Sequence, residues 1–229
     1  MKQIKQSFKV LIPARLGSKG LKKKNLKKIQ GKSLVEIAIL NAKKIKYIND
    51  NDIFVSTDSK KIISIAKKNK VNFIRRPDRF CKDSSIANDV IIHFKNYLNF
   101  KGELNLIYLQ PSSPLKTEMY LKKAIFQFIK NTNKTLISGY IENSEKFLKA
   151  FICSKNIKPL FNKKFITANR QSFKHSCFIP NGAIFIFKLK KNFRYIKTSI
   201  INPLVFPKNA IIDINNLNDF KKAKKLFKK

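Results

Sequence analysis

The chain has 229 residues, 43% of them hydrophobic, enough to bury the core of one large domain. Its net charge of +37 comes from 50 basic residues, but only six are Arg (15, 75, 76, 79, 170 and 194), and the lysines are spread evenly. No apolar run approaches the ~18 residues of a membrane span, the N-terminus lacks a signal-peptide pattern, and three cysteines without CxxC spacing suggest neither a zinc site nor a disulfide framework.

Reduced thiols in a cytoplasm are the expectation that follows. A dedicated nucleic-acid reader concentrates Arg and aromatic residues on one element. Here Lys, Asn, Ile and Phe are abundant together, and they share A- and T-rich codons. Base-composition bias with a solvated basic surface is therefore the reading, and no specific nucleic-acid or membrane partner is expected. The charge still raises the local concentration of anionic substrates.

In chain order, residues 8–12 form an apolar strand ended by Pro13. Strands are predicted at 52–57, 71–75, 104–109 and 134–140, separated by helical patterns near 33–46, 60–69, 85–99 and 117–131. Such alternation predicts an α/β fold: a mainly parallel, Rossmann-like sheet with helices on both faces. Ligands then gather at the carboxyl ends of the strands. Residues 142–178 break the rhythm and read as an inserted subdomain or arm within a single domain spanning 1–229. A strand resumes at 180–188, a short strand is predicted at 209–214, and a helix at 216–228 closes the chain with Leu217, Phe220, Ala223, Leu226 and Phe227 near one face.

The stretch after the first strand, Pro13-Ala14-Arg15-Leu16-Gly17-Ser18-Lys19-Gly20, followed by Lys24 and Asn25, carries the chemistry. Only six glycines occur in the chain, and Gly17, Gly20 and Gly31 fall within its first 31 residues. Gly17 and Gly20 would let the backbone turn and bring N–H groups near phosphate oxygens. Arg15 can grip phosphate with its planar fork, while Lys19 and Lys24 act as point charges. The spacing matches neither the P-loop nor the dinucleotide motif.

It resembles instead the I-P-A-R-x-G-S-K-G-[IL]-P-x-K-N signature of the N-acylneuraminate cytidylyltransferases, the CMP-sialic acid synthetase group, with Lys22 in place of the proline. Further segments resemble that family in the same order: Gly31-Lys32-Ser33-Leu34, Val55-Ser56-Thr57-Asp58-Ser59, Arg76-Pro77 with Asp83 and His93, Gln110-Pro111-Ser112-Ser113-Pro114-Leu115-Lys116, Arg170-Gln171, Pro180-Asn181-Gly182-Ala183 and Asp213-Ile214-Asn215.

The resemblance implies transfer of CMP from CTP to a nonulosonic, sialic-acid-like sugar with release of pyrophosphate. It implies Mg²⁺ or Mn²⁺ as cofactor and a homodimer formed through the inserted arm. Arg15, Lys24, Gln110 and Asp213 are the catalytic candidates. Ala14, Arg15, Gly17, Ser18, Lys19, Lys24, Asn25 and Arg76 would bind the nucleotide. Gln110, Ser112, Ser113, Arg170, Asn181 and Gly182 would line the acidic nine-carbon sugar. Asp213 and Asn215 would hold the metal. On a strand, residues two apart point the same way, so both could face one ion.

Three departures from the family pattern matter. Asn215 stands where the family has a second aspartate, which removes one negative charge at the metal. Ala87 replaces a serine carried by some sialic-acid members. Ile179 stands where some carry an arginine able to hold the sugar carboxylate. Legionaminic and pseudaminic acids are therefore related substrates to consider beside N-acetylneuraminate. A CMP-Kdo synthetase-type enzyme, and an inactive transferase fold binding nucleic acid, remain the alternatives. Asp58 and Asp219 read as structural carboxylates, His93 and His175 as non-catalytic.

Overall fold

The computed structural model describes residues 7–227, leaving aside residues 83, 101, 154–156, 170, 172, 174, 175 and 209. Asp83, Arg170, His175 and the first residue of the strand predicted at 209–214 lie outside the described residues.

The elements run β1 (Phe8–Pro13), β2 (Lys28–Ile29), β3 (Lys32–Ser33), α1 (Leu34–Lys43), β4 (Ile53–Thr57), α2 (Lys60–Lys68), β5 (Asn72–Arg75), α3 (Ala87–Leu98), β6 (Glu103–Leu109), α4 (Glu118–Lys130) and β7 (Thr135–Asn143). They continue with α5 (Glu145–Leu148), β8 (Phe151–Cys153), β9 (Ile157–Pro159), β10 (Ser176–Lys190), β11 (Ile201–Val205) and α6 (Leu217–Leu226).

Seven strands form one sheet in the order β11-β7-β10-β6-β1-β4-β5. Strands β5, β4, β1 and β6 pair in parallel, β10 is antiparallel to both β6 and β7, and β11 runs parallel to β7. Only β10 is reversed, so the mainly parallel sheet expected from the strand–helix alternation is present. Alternate residues of β1 serve opposite layers. Val10 and Ile12 pack with Val35 and Ile39 of α1, Ile62 of α2 and Phe128 of α4. Leu11 packs with Val90, Ile91 and Phe94 of α3 on the other face. Burial on both faces explains why β1 and β4 read as unbroken apolar runs.

A third, smaller cluster matters most for the site. Leu21 from the loop after β1 and Ile29 of β2, with Leu34 and Ile37 of α1, pack with Ile214 and with Ala223 of α6. The terminal helix thereby presses the segment before it against the glycine-containing loop. Its start is fixed by reciprocal capping: the Asp219 N–H donates to the Asn216 side chain at 2.9 Å, and the Asp219 carboxylate accepts from Asn216 N at 3.1 Å. Ser33 and Glu36 cap α1 in the same way.

Residues 211–214 do not form the predicted strand; they run irregularly into α6, and the seventh strand is the upstream segment Ile201–Val205. Packing of Ile211 and Ile214 into two different clusters, rather than ladder hydrogen bonding, accounts for the apolar character of that stretch. Where the sequence pattern breaks, β7 and β10 continue past the sheet as a two-stranded ribbon, pairing Asn143 to Gly139 with Ser176 to Pro180. Helix α5 and the β8–β9 hairpin sit at its end.

Candidate active site

The ends of β1 and β6, the segment after β5 and the first turn of α3 enclose a cleft of about 270 Å³ at the carboxyl edge of the parallel strands. Its wall includes Arg15, Gly17, Ser18, Lys24, Asn25, Arg76, Gln110 and Ser112, all sequence candidates. A larger hollow of about 490 Å³ at the opposite rim, between Thr132–Thr135 and Phe187–Lys197, contains none of them.

The loop after β1 is held from several directions. Ala14 is buried, and its N–H donates to the Ser56 carbonyl at 2.8 Å, so it supports the loop without lining the cleft. Asp58 accepts the Leu16 N–H at 2.7 Å, the structural duty expected of it. Asn25 is nearly buried and donates to the Arg15 carbonyl at 2.8 Å. Ser18 donates its hydroxyl to the Leu21 carbonyl. The Arg15 guanidinium donates across to the Cys81 carbonyl at 2.9 Å, bridging the loop to the turn after β5. Lys19 lies outside the cleft wall.

The glycines divide the work differently from the sequence reading. A methyl group on Gly17 would meet nothing within 4 Å. One on Gly20 would lie 2.1 Å from the Asn215 carbonyl oxygen. Gly20 is thus required for backbone approach between the loop and the segment before α6.

That segment brings Asp213 to the loop. Lys24 donates to the Ile214 carbonyl at 2.7 Å and has the Asn215 side-chain oxygen at 3.4 Å. Burial holds the Lys24 ammonium below its ordinary pKa, the Asp213 charge pulls it up, and Arg15 pushes it down again. Asn215 donates through its side-chain nitrogen to Asp213 Oδ2 at 2.9 Å, so the two side chains share a side even without a strand. Asp213 Oδ1 is buried and has no hydrogen-bond partner among the described residues. No cluster of three or more His, Cys, Asp or Glu side chains able to hold a metal occurs among them.

Arg76 is 5% exposed and directs two of its five donors at β4: Nε donates to Ser56 Oγ at 3.1 Å and a terminal nitrogen donates to the Ser56 carbonyl at 2.9 Å. Burial lowers its pKa. Only the remaining guanidinium edge is available to a ligand. Beside it, burial pushes the Tyr108 hydroxyl up to about 12, which makes a neutral floor to the cleft. His93 packs its ring against Phe80 at 5.5 Å, behind the cleft wall.

On the other side, β10 bulges between Pro180 and Phe185. Ser138 fixes the bulge by donating to the Asn181 side chain at 2.6 Å and accepting from the Ile184 N–H at 2.9 Å. Gly182 adopts φ +70°, and a side chain there would meet the Gln110 amide at 3.6 Å. Gln110 in turn donates its N–H to the Ala183 carbonyl and accepts from Ser112 Oγ at 3.3 Å. Ser113 is fully buried, and its hydroxyl has no partner among the described residues, so it sits behind the cleft surface.

Sequence reasoning passed over Tyr108 and Phe80, which line the cleft beside Ser85, Ile86 and Val90, and Lys116, which bonds the Gln110 and Ser113 carbonyls. The first two look like ordinary core and turn aromatics in sequence. Lys116 is one of many lysines, and only its place at the end of the Gln110–Lys116 motif could have singled it out.

The cytidylyltransferase family profile matches residues 9–174. The chain is 29% identical to post-translational flagellin modification protein B of Campylobacter coli, over 95% of this chain and 93% of that protein. It is 27% identical to a pseudaminic acid cytidylyltransferase of Campylobacter jejuni, covering 95% of each. Among solved structures, a CMP:2-keto-3-deoxy-manno-octonic acid synthetase complexed with CTP superposes with a TM-score of 0.69 at 12% identity, over 97% of this chain and 99% of that one. That likeness is one of fold.

Proposed function

Because this chain belongs to the cytidylyltransferase family, we propose that it transfers CMP from CTP to a nine-carbon acidic sugar, with pyrophosphate leaving. The observation that carries this reading is that Arg15 and Lys24 share one cleft, and that Lys24 is tied to the segment bearing Asp213, whose Oδ1 has no hydrogen-bond partner among the described residues. The near-full-length relative from Campylobacter jejuni, a pseudaminic acid cytidylyltransferase, supports the sugar class. Pseudaminic acid and its nonulosonic relatives therefore head the list of acceptors.

In the reaction, a sugar hydroxyl oxygen forms a bond to the α-phosphorus and gives up its proton to solvent as the bond from the α-phosphorus to the oxygen bridging to the β-phosphate breaks. Charge grows on the departing pyrophosphate. Arg15 and Lys24, fixed by their own hydrogen bonds, meet that charge without reorganising. Gly17 leaves open space for the triphosphate beside the backbone. Gln110 has no basic atom at neutral pH, so it orients the acceptor sugar together with Ser112 and the Asn181–Gly182 bulge. Ile179, on the neighbouring ribbon, supplies no charge where a carboxylate-binding arginine would otherwise stand.

Asp213 suits a hard divalent ion such as Mg²⁺ or Mn²⁺: one carboxylate oxygen is unclaimed and the neighbouring Asn215 can offer a carbonyl oxygen. A single carboxylate matches an ion held mostly by phosphate oxygens. When bound, such an ion would neutralise triphosphate charge.

The chain acts as a homodimer through the arm in this reading. Exposed Phe151, Ile152, Ile157 and Phe161 cluster there, with Ile157 70% exposed. Sedimentation of an Ile157→Glu variant should give a monomer; an unchanged dimer would move the interface elsewhere. For the reaction, pyrophosphate release is measured with each of the four nucleoside triphosphates against a panel of nonulosonic acids and Kdo. Turnover with CTP and a nonulosonic acid is expected. Turnover only with Kdo, or none with any sugar, would reject the reading.

A further inference from the structure

Lys116 lies near the end of the loop between β6 and α4, and it is almost wholly buried, 1% exposed. Lysine is among the residues least often buried, because removing an ammonium from water costs several kcal/mol unless its protons are bonded. Here two are accounted for. Nζ donates to the Ser113 carbonyl at 2.7 Å and to the Gln110 carbonyl. The backbone carbonyl of Lys116 accepts from the Asn41 side chain at 2.7 Å, which anchors the residue to α1. Lys116 therefore crosses its own loop from beneath and ties both ends of Gln110-Pro111-Ser112-Ser113 to one point.

The loop does not end the connection. Its Ser112 carbonyl accepts the Ile214 N–H at 2.9 Å, and the Ile214 carbonyl accepts from Lys24. One path thus runs from Lys116 through the Gln110 loop to the segment bearing Asp213, and from there to the loop bearing Arg15. An apolar side chain could fill the same space, but it would leave two buried carbonyls without donors.

We propose that Lys116 is a positioning residue for the transfer reaction: by clamping the Gln110 and Ser113 carbonyls it sets the place of Gln110 and, through the Ser112–Ile214 hydrogen bond, the place of the Asp213 carboxylate. This rests on the reading of the cleft as the transfer site, but its first test does not need turnover.

Hydrogen exchange is measured on the ligand-free protein and on Lys116→Met. Ile214 makes no hydrogen bond to Lys116, yet its amide should exchange about tenfold or more faster in the variant. Val10 to Ile12 in β1 should keep their protection. Lys116→Arg, which preserves charge and donors, should restore the Ile214 amide to within about threefold of the parent. Unchanged Ile214 exchange, or equal loosening of β1, would overturn the proposal. Should Lys116→Met fail to fold, Lys116→Gln, with one shorter donor, takes its place with the same outcomes.

The second test reads kinetics. Lys116→Met should lower kcat/KM for the acceptor sugar by about tenfold or more while KM for CTP stays within about threefold. A rise in KM for CTP by the same factor as the fall in kcat/KM for the sugar would contradict a positioning role. If the parent protein turns over no sugar at all, the functional reading fails, while the exchange result still decides whether Lys116 couples the two segments.

Discussion

Gly20 and Asn215 touch backbone to backbone: a β-carbon on Gly20 would sit 2.1 Å from the Asn215 carbonyl oxygen. The contact joins the loop after β1 to the segment before α6 with no side chain between them. Gly20→Ala must displace one backbone from the other and should cost about 2 kcal/mol or more of stability. Gly17→Ala enters open space and should leave stability within about 0.5 kcal/mol while weakening CTP binding. Denaturant unfolding and CTP titration of both variants check this. Equal destabilisation by the two would remove the distinction.

Asn215 donates to Asp213 Oδ2. Asn215→Asp replaces that donor with a second negative charge. Without metal the two carboxylates repel, so the variant should melt lower than the parent in chelator. With Mg²⁺ it should bind the ion roughly tenfold more tightly in the absence of nucleotide, about 1.4 kcal/mol. Calorimetric titration of Mg²⁺ into both proteins decides the point, and equal affinities would show that position 215 does not face the ion.

Arg15 spans the cleft to the Cys81 carbonyl. Arg15→Ala removes both the bridge and a fixed charge, and kcat/KM should fall by about 10²–10³. Arg15→Lys keeps the charge without the fork and should recover part of the loss. A decrease smaller than about threefold in Arg15→Ala would take Arg15 out of the reaction.

Most of the sheet could be read from the chain because strands buried on both faces are written as apolar runs, as in Val10-Leu11-Ile12 and Leu106-Ile107-Tyr108-Leu109. The strand Ile201–Val205 escaped notice because Pro203 sits within it; β11 is an edge strand, where a missing N–H is tolerated. The apolar Ile211 and Ile214 suggested a strand in its place, but their burial comes from packing against separate clusters. In the site, the loop after β1, Gln110 and Asp213 were legible because the motif fixes both residue types and order. Side-chain engagement was not. Nothing in the sequence tells that Arg76 directs two donors at Ser56, that Ser113 lies behind the wall, or that Gly20 is needed for approach and Gly17 for space.

Lys116 also gives stability a pH dependence. Burial pushes its ammonium down to about 7, with Asp213 pulling the other way, against an ordinary value of 10.5. Between those values the unfolded chain holds a proton that the folded chain has released, so the unfolded state binds more protons and stability rises with pH. Below about 7 both states are protonated and the full cost of burying the charge remains. The parent should therefore gain stability relative to Lys116→Met as pH is raised from 7 toward 10. Denaturant unfolding of both proteins at pH 6.5, 8 and 9.5 measures the difference. A gap that stays constant would show that Lys116 keeps its proton in the folded protein.

The central claim is that the loop of Arg15 and Lys24 receives the triphosphate of CTP beside Asp213. A crystal of the protein with Mn²⁺ and a non-hydrolysable CTP analogue tests it most directly. The account expects an anomalous manganese peak against the Asp213 carboxylate, with phosphate oxygens within hydrogen-bonding reach of Arg15 and Lys24. A nucleotide bound elsewhere, with that loop facing solvent and no manganese at Asp213, would contradict it.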